Sequence, residues 1–169
     1  MREIVDIVIE HPEWRSLGLE GLVAAAAEAT LAHLGITGPA EISLLATDDR
    51  RIADLNSAFR ARETATNVLS WPSDELAADT PGAPPHPPVP DMPGAPLFLG
   101  DVALAWETCQ AEAEAAGRAM SAHVSHLLVH GILHLLGYDH IDDADAALME
   151  RLETEILGKL GIDDPYRQV

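Results

Sequence analysis

At 169 residues with 47% apolar content, the chain is long enough to bury its own core as one domain spanning 1–169. The single cysteine, Cys109, excludes an intramolecular disulfide and a cysteine-built zinc site, so any metal must be held by His, Asp or Glu. A formal charge of −18 argues against affinity for free nucleic acid, because phosphate neutralisation by basic residues supplies most such binding. One local counter-signal stands against it: Arg50, Arg51, Arg60 and Arg62 place four of the ten basic residues within thirteen positions.

The N-terminal stretch Met1–Asp6 carries charges among its apolar residues and does not read as a signal peptide. No run of about 18 apolar residues is present to span a bilayer, so a cytoplasmic protein is expected. Residues 3–9 are β-branched and predict a first strand. Residues 17–34, rich in Leu and Ala and stopped by Gly35, predict a helix. Residues 41–46 predict a second strand, after which Thr47 is placed as the N-cap of a short helix running to about Ala58. Asn67–Trp71 predicts a third strand closed by Pro72. Nine of the twelve prolines then fall between Pro72 and Pro96, a surface loop in which regular structure is excluded. Leu97–Ala105 predicts a fourth strand, interrupted at Gly100-Asp101. Helices follow at about 106–116, 122–136 and 143–160, punctuated by Gly117, Gly137 and Gly161. The fold class expected is α+β, a small mixed sheet of about four strands packed with about five helices. Cys109, on the first of the late helices, reads as inert packing.

Five of the eight histidines lie between His123 and His140. On a helix, residues four apart sit about 40° apart around the axis, so His130 and His134 can hold one ion. Gly137 permits a left-handed turn that ends the helix and lets His140 return to the same point. His-x3-His-x5-His thus supplies three nitrogen ligands and leaves a fourth position for water, as catalytic zinc sites do. Such a water has its pKa lowered to about 7. Nickel, copper or iron suit three imidazoles as well. His123 and His126 continue the stripe and are read as supporting or surface residues. Asp101 and Asp139 are candidates to accept from a ligand histidine, with Asp139 equally suited to capping the turn after Gly137. In zinc peptidases of the His-Glu-x-x-His type the residue after the first histidine is the general base, and here it is Gly131.

The segment His130-Gly131-Ile132-Leu133-His134-Leu135-Leu136-Gly137-Tyr138-Asp139-His140 resembles the HGxLHLxGYDH signature of the YbeY endoribonucleases. Leu55-Asn56, Phe59-Arg60, Thr66-Asn67-Val68-Leu69-Ser70-Trp71-Pro72, Leu99-Gly100-Asp101-Val102, Glu153-Thr154-Glu155-Ile156 and Asp164-Pro165-Tyr166 are similar to further stretches of that family. Thr64-Ala65 stands where the family often has Lys-Pro, and the loop at 72–96 is longer than in compact members. The resemblance implies a zincin-like metal site on a central helix, with His130, His134 and His140 holding Zn2+. It implies single-strand-specific cleavage of RNA in maturing the 3′ end of small-subunit (16S) rRNA, and ribosome quality control. Arg60 is implied to be functionally important, and as a hypothesis it meets the phosphate; Asp139 is the further catalytic candidate. The partners implied are single-stranded rRNA in the 30S subunit, ribosomal proteins and an assembly GTPase, with no membrane. Two other readings use the same histidines: a metallopeptidase-like hydrolase, and a non-enzymatic ribosome-associated factor whose zinc is structural.

Overall fold

A computed structural model of the chain describes residues 3–60 and 66–166, with backbone alone at 3–5, 59 and 60. The elements run β1 (Glu3–Ile9), α1 (Glu13–Ser16), α2 (Leu19–His33), β2 (Ala40–Thr47), α3 (Asp49–Arg60), β3 (Val68–Pro72), β4 (Leu97–Ala105), α4 (Trp106–Ala116), α5 (Met120–Leu135) and α6 (Asp143–Lys159). The four strands form one mixed sheet in the order β1-β2-β4-β3. β1, β2 and β4 are parallel, and β3 joins the β4 edge antiparallel. The α+β class expected from the sequence is the one observed.

β4 lies inside the sheet and has helices on both faces, which is why Val102-Ala103-Leu104-Ala105 is apolar without alternation and wholly buried. On one face Ala40, Ile42, Leu44 and Ala46 of β2 meet the main core with α2 and α5. On the other, Ile52 of α3 closes a smaller core with Leu69, Ala103 and Ala105. α5 packs on β3 and β4 and touches α2, α4 and α6 as well. Leu128, Ile132, Leu133 and Leu135 are fully buried there. Each such side chain contributes roughly 1.5–3 kcal/mol by burial, so α5 is a rigid mount.

Three sequence expectations shift. The helix placed at 17–34 is α2, which starts at Leu19 and ends at His33, and a one-turn α1 that was not expected precedes it at Glu13–Ser16, with Leu17 as its C-cap. Thr47 stays in β2, where its hydroxyl donates to Glu10 at 2.8 Å; the cap of α3 is Asp48, whose Oδ1 accepts from the Arg51 amide at 2.8 Å. Pro72 ends up inside β3 rather than after it, which an edge strand permits.

The register of β4 against β2 slips at Glu41/Ile42, giving β4 one extra residue at Leu99. Gly100 follows at φ 140, where a Cβ would lie 2.2 Å from the Trp71 carbonyl oxygen, so only glycine fits. Cys109 is fully buried, and burial first and the nearby Glu112 second push its thiol up to about 12, consistent with inert packing. No helix among the described residues is long and apolar enough to cross a membrane.

The proline-rich segment is irregular but anchored. Its His86 amide donates to the Leu76 carbonyl at 2.8 Å, and its Gly82 amide donates to Asp145 of α6 at 2.8 Å. Leu76 and Pro85 also close against Gly137, at the end of α5.

Candidate metal centre

α5 ends in a Schellman motif: the Tyr138 amide donates to the Leu133 carbonyl and the Gly137 amide to the His134 carbonyl, both at 3.0 Å. Gly137 takes φ 100, and the chain doubles back. Asp139 Oδ1 accepts from the His140 amide at 2.7 Å, and Asp142 caps α6 by accepting from the Ala144 amide at 2.9 Å. These closely spaced bonds bring His140 back over the last turns of α5.

The three predicted ligands converge. The His130–His134, His134–His140 and His130–His140 ring centroids lie 4.6, 5.0 and 5.3 Å apart. One nitrogen from each falls within 4.8 Å of the others. His130 Nε2 and His134 Nε2 are 3.1 Å apart. Two nitrogens bound at 2.0–2.1 Å to one tetrahedral ion would be about 3.3 Å apart, so the donor set fits zinc. His134 is pushed down to about 4, by burial first and then by His130 and His140. Its lone pair is therefore free of protons near neutral pH.

His130 has its other nitrogen, Nδ1, 3.3 Å from each carboxylate oxygen of Glu153 on α6. Glu153 is 1% exposed. Burial alone would raise its pKa, but hydrogen bonds from His126 and His130 outweigh that and hold it at about 2. The carboxylate predicted behind a ligand is thus supplied by Glu153. Asp101 is exposed on β4, and Asp139 caps the turn with Oδ1 3.8 Å from His140 Nδ1. Of the two flanking histidines, His126 Nε2 meets Glu153 at 2.6 Å, while His123 Nε2 meets Glu112 at 2.9 Å, beside Asn67.

The centre lies on an open cleft of about 1140 Å3, bordered by Asn67 and Ser70 on one side and by Leu76 and Ile141 on others. The proline-rich segment contributes Ser73–Ala77 to its wall. Arg60 is the last residue of α3, and its side chain lies outside the described residues, as do Arg62, Thr64 and Ala65 altogether. Arg51, of the expected basic strip, has its Nε 3.7 Å from Glu10.

A family model described as Endoribonuclease YbeY matches residues 8–161. The chain belongs to this family. A YbeY endoribonuclease of Ruegeria pomeroyi is 56% identical over 163 residues, covering 96% of this chain and 97% of the relative. Those of Cereibacter sphaeroides and Jannaschia sp. are 54% and 53% identical, over 98% and 96% of this chain and 100% and 99% of theirs. The solution structure of TM1509 from Thermotoga maritima superimposes with a TM-score of 0.55 at 18% identity, covering 98% of this chain and all of the other, a likeness of fold.

Within this YbeY chain, Gly131 is buried against the sheet. A Cβ there would already touch Val102 at 3.4 Å and Val68 at 3.6 Å, so the position has no room for the peptidase glutamate and does not face the cleft. Glu153 is the residue that the reading of the sequence left without a role. It carries a signal of its own: a carboxylate within the buried stripe Met149, Leu152, Ile156 and Leu157 of α6 demands a polar partner.

Proposed function

We propose that the chain is a zinc-dependent, single-strand-specific endoribonuclease that acts in the cytoplasm on the 3′ end of 16S rRNA and in ribosome quality control. The observation that carries this reading is the convergence of His130, His134 and His140 on an open cleft in a chain of the YbeY family. A divalent ion held there supplies Lewis acidity beside a scissile phosphodiester.

The chain's own residues do the rest. Glu153 holds His130 by its far nitrogen, and burial keeps His134 unprotonated. Asp139 holds the turn that presents His140. Arg60 takes the charge that develops on the phosphate, for which a guanidinium fork is suited. The cleft wall carries Asp74, Glu75 and Asp139, which repel phosphate, so productive binding depends on the 30S subunit, its proteins and an assembly GTPase rather than on free RNA affinity.

Cleavage of a single-stranded rRNA fragment tests this, with the purified protein, His134→Ala and Arg60→Ala, each with and without chelator. Cleavage lost in both variants and on chelation, then restored by zinc, is expected. Equal cleavage by all three proteins would reveal a contaminating nuclease and remove the support.

A further inference from the structure

Glu153 does not border the cleft, yet three side chains converge on it. His130 Nδ1 lies 3.3 Å from both of its oxygens. His126 Nε2 lies 2.6 Å from Oε1, and the Tyr166 hydroxyl donates to the same oxygen at 3.0 Å. We propose that Glu153 is the positioning residue of the metal centre, fixing the tautomer and orientation of His130, and that His126 and Tyr166 fix Glu153 in turn. The inference deepens the metal-dependent reading above and rests on it.

A carboxylate only accepts, so the His130 nitrogen facing it must carry the proton. The proton then sits on Nδ1 and leaves Nε2 bare, 3.1 Å from His134 Nε2. The opposite tautomer would place a proton between those two nitrogens, satisfying them with each other and leaving no lone pair for an ion. Glu153 forbids that state. The three contacts also account for its burial, since an anion excluded from water needs several donors.

Tyr166 is itself anchored. Asp164 Oδ1 accepts from the Tyr166 amide at 2.8 Å and from the Thr154 hydroxyl of α6 at 3.2 Å. The Asp164 carbonyl accepts from Arg118, just before α5, at 3.3 Å. The segment after α6 is thereby pinned to α6 and to the residue stretch just before α5, and the Tyr166 hydroxyl, on the same Glu153 oxygen as His126, lies 3.5 Å from His126 Nε2. His126 and Tyr166 meet edge to face, with ring centroids 5.6 Å apart.

The test uses the full chain stripped of metal: wild type, Glu153→Gln and Tyr166→Phe. Zinc affinity is measured by competition with a chromogenic chelator, and the His130 tautomer by 15N NMR of the imidazoles. Glutamine keeps the size but presents an NH2 that can face Nδ1, so the tautomer is freed. Glu153→Gln is expected to bind zinc about 10–100-fold more weakly, with the His130 proton shifted towards Nε2 in the metal-free protein. Tyr166→Phe is expected to weaken zinc by a few-fold with the same spectroscopic trend. Affinity within twofold of wild type and an unchanged His130 signal in Glu153→Gln would overturn the proposal. If that variant does not fold, Tyr166→Phe decides alone, and unchanged affinity and signal there overturn it. A wild type that binds no zinc would instead remove the metal-dependent reading on which the proposal stands.

Discussion

Gly137 and Leu76 stand so close that a methyl group on Gly137 would meet the Leu76 carbonyl carbon at 2.8 Å and its oxygen at 2.9 Å. The glycine that turns the chain towards His140 is therefore also the seat on which the proline-rich segment rests. Gly137→Ala would add backbone strain of roughly 1–3 kcal/mol at φ 100, before the clash itself is counted. The denaturation midpoint should fall accordingly, and zinc affinity with it as His140 is displaced. A midpoint equal to wild type would show that the segment does not pack there.

Acid should destabilise the metal-free protein in two windows. His134 is lowered from 6.5 to about 4, so the unfolded chain takes up its proton first as pH falls. The stability contributed is whole above pH 6.5 and is lost by about pH 4, up to about 3 kcal/mol from the size of the shift. Glu153, lowered from 4.5 to about 2, extends the loss below pH 4.5 in the same direction. Urea unfolding from pH 7 to pH 4 measures this, and His134→Gln should flatten the upper window. A wild-type profile that is already flat there would contradict the burial of His134.

Position 131 separates nuclease from peptidase logic. Gly131→Ala brings a methyl into ordinary contact with Val102 and Val68 and should change stability by no more than about 1 kcal/mol. Gly131→Glu would press an unpaired carboxylate into the sheet and should cost several kcal/mol without producing peptidase activity. A stable Gly131→Glu protein that cleaves casein would reopen the peptidase reading.

The acidic wall makes a prediction about substrate. Asp74 and Glu75 are exposed and border the cleft. Asp74→Asn combined with Glu75→Gln should tighten binding of a short single-stranded RNA several-fold at low ionic strength. The gain should shrink beyond about 0.15 M salt, where the Debye length falls to about 8 Å. An effect that does not depend on salt would mean that the wall acts through shape rather than charge.

What the sequence disclosed follows from the range of the interactions involved. The ligands His130, His134 and His140 were legible because helical spacing and one glycine fix their meeting, all within eleven residues. The strands were legible from β-branched runs, although Thr47 was mistaken for a cap because Asp48, one residue later, has the better acceptor. Glu153 was not assigned, since its partnership with His130 spans 23 positions and exists only once α6 packs on α5. The packing of Leu76 and Pro85 on Gly137 was hidden for the same reason: irregular backbone carries no periodicity from which a contact can be read.

The placement of Glu153 and Tyr166 has a bearing on how the protein is made. Synthesis runs from the N-terminus, so all three imidazoles are polymerised before the carboxylate that orients one of them and the phenol that steadies it. A nascent chain halted between His140 and Glu153 would carry the ligand set without its orienting carboxylate, with His130 free to adopt either tautomer. Ion capture in its final form is thus tied to the synthesis of α6 and of the segment that follows it, well after the last of the three imidazoles has been added.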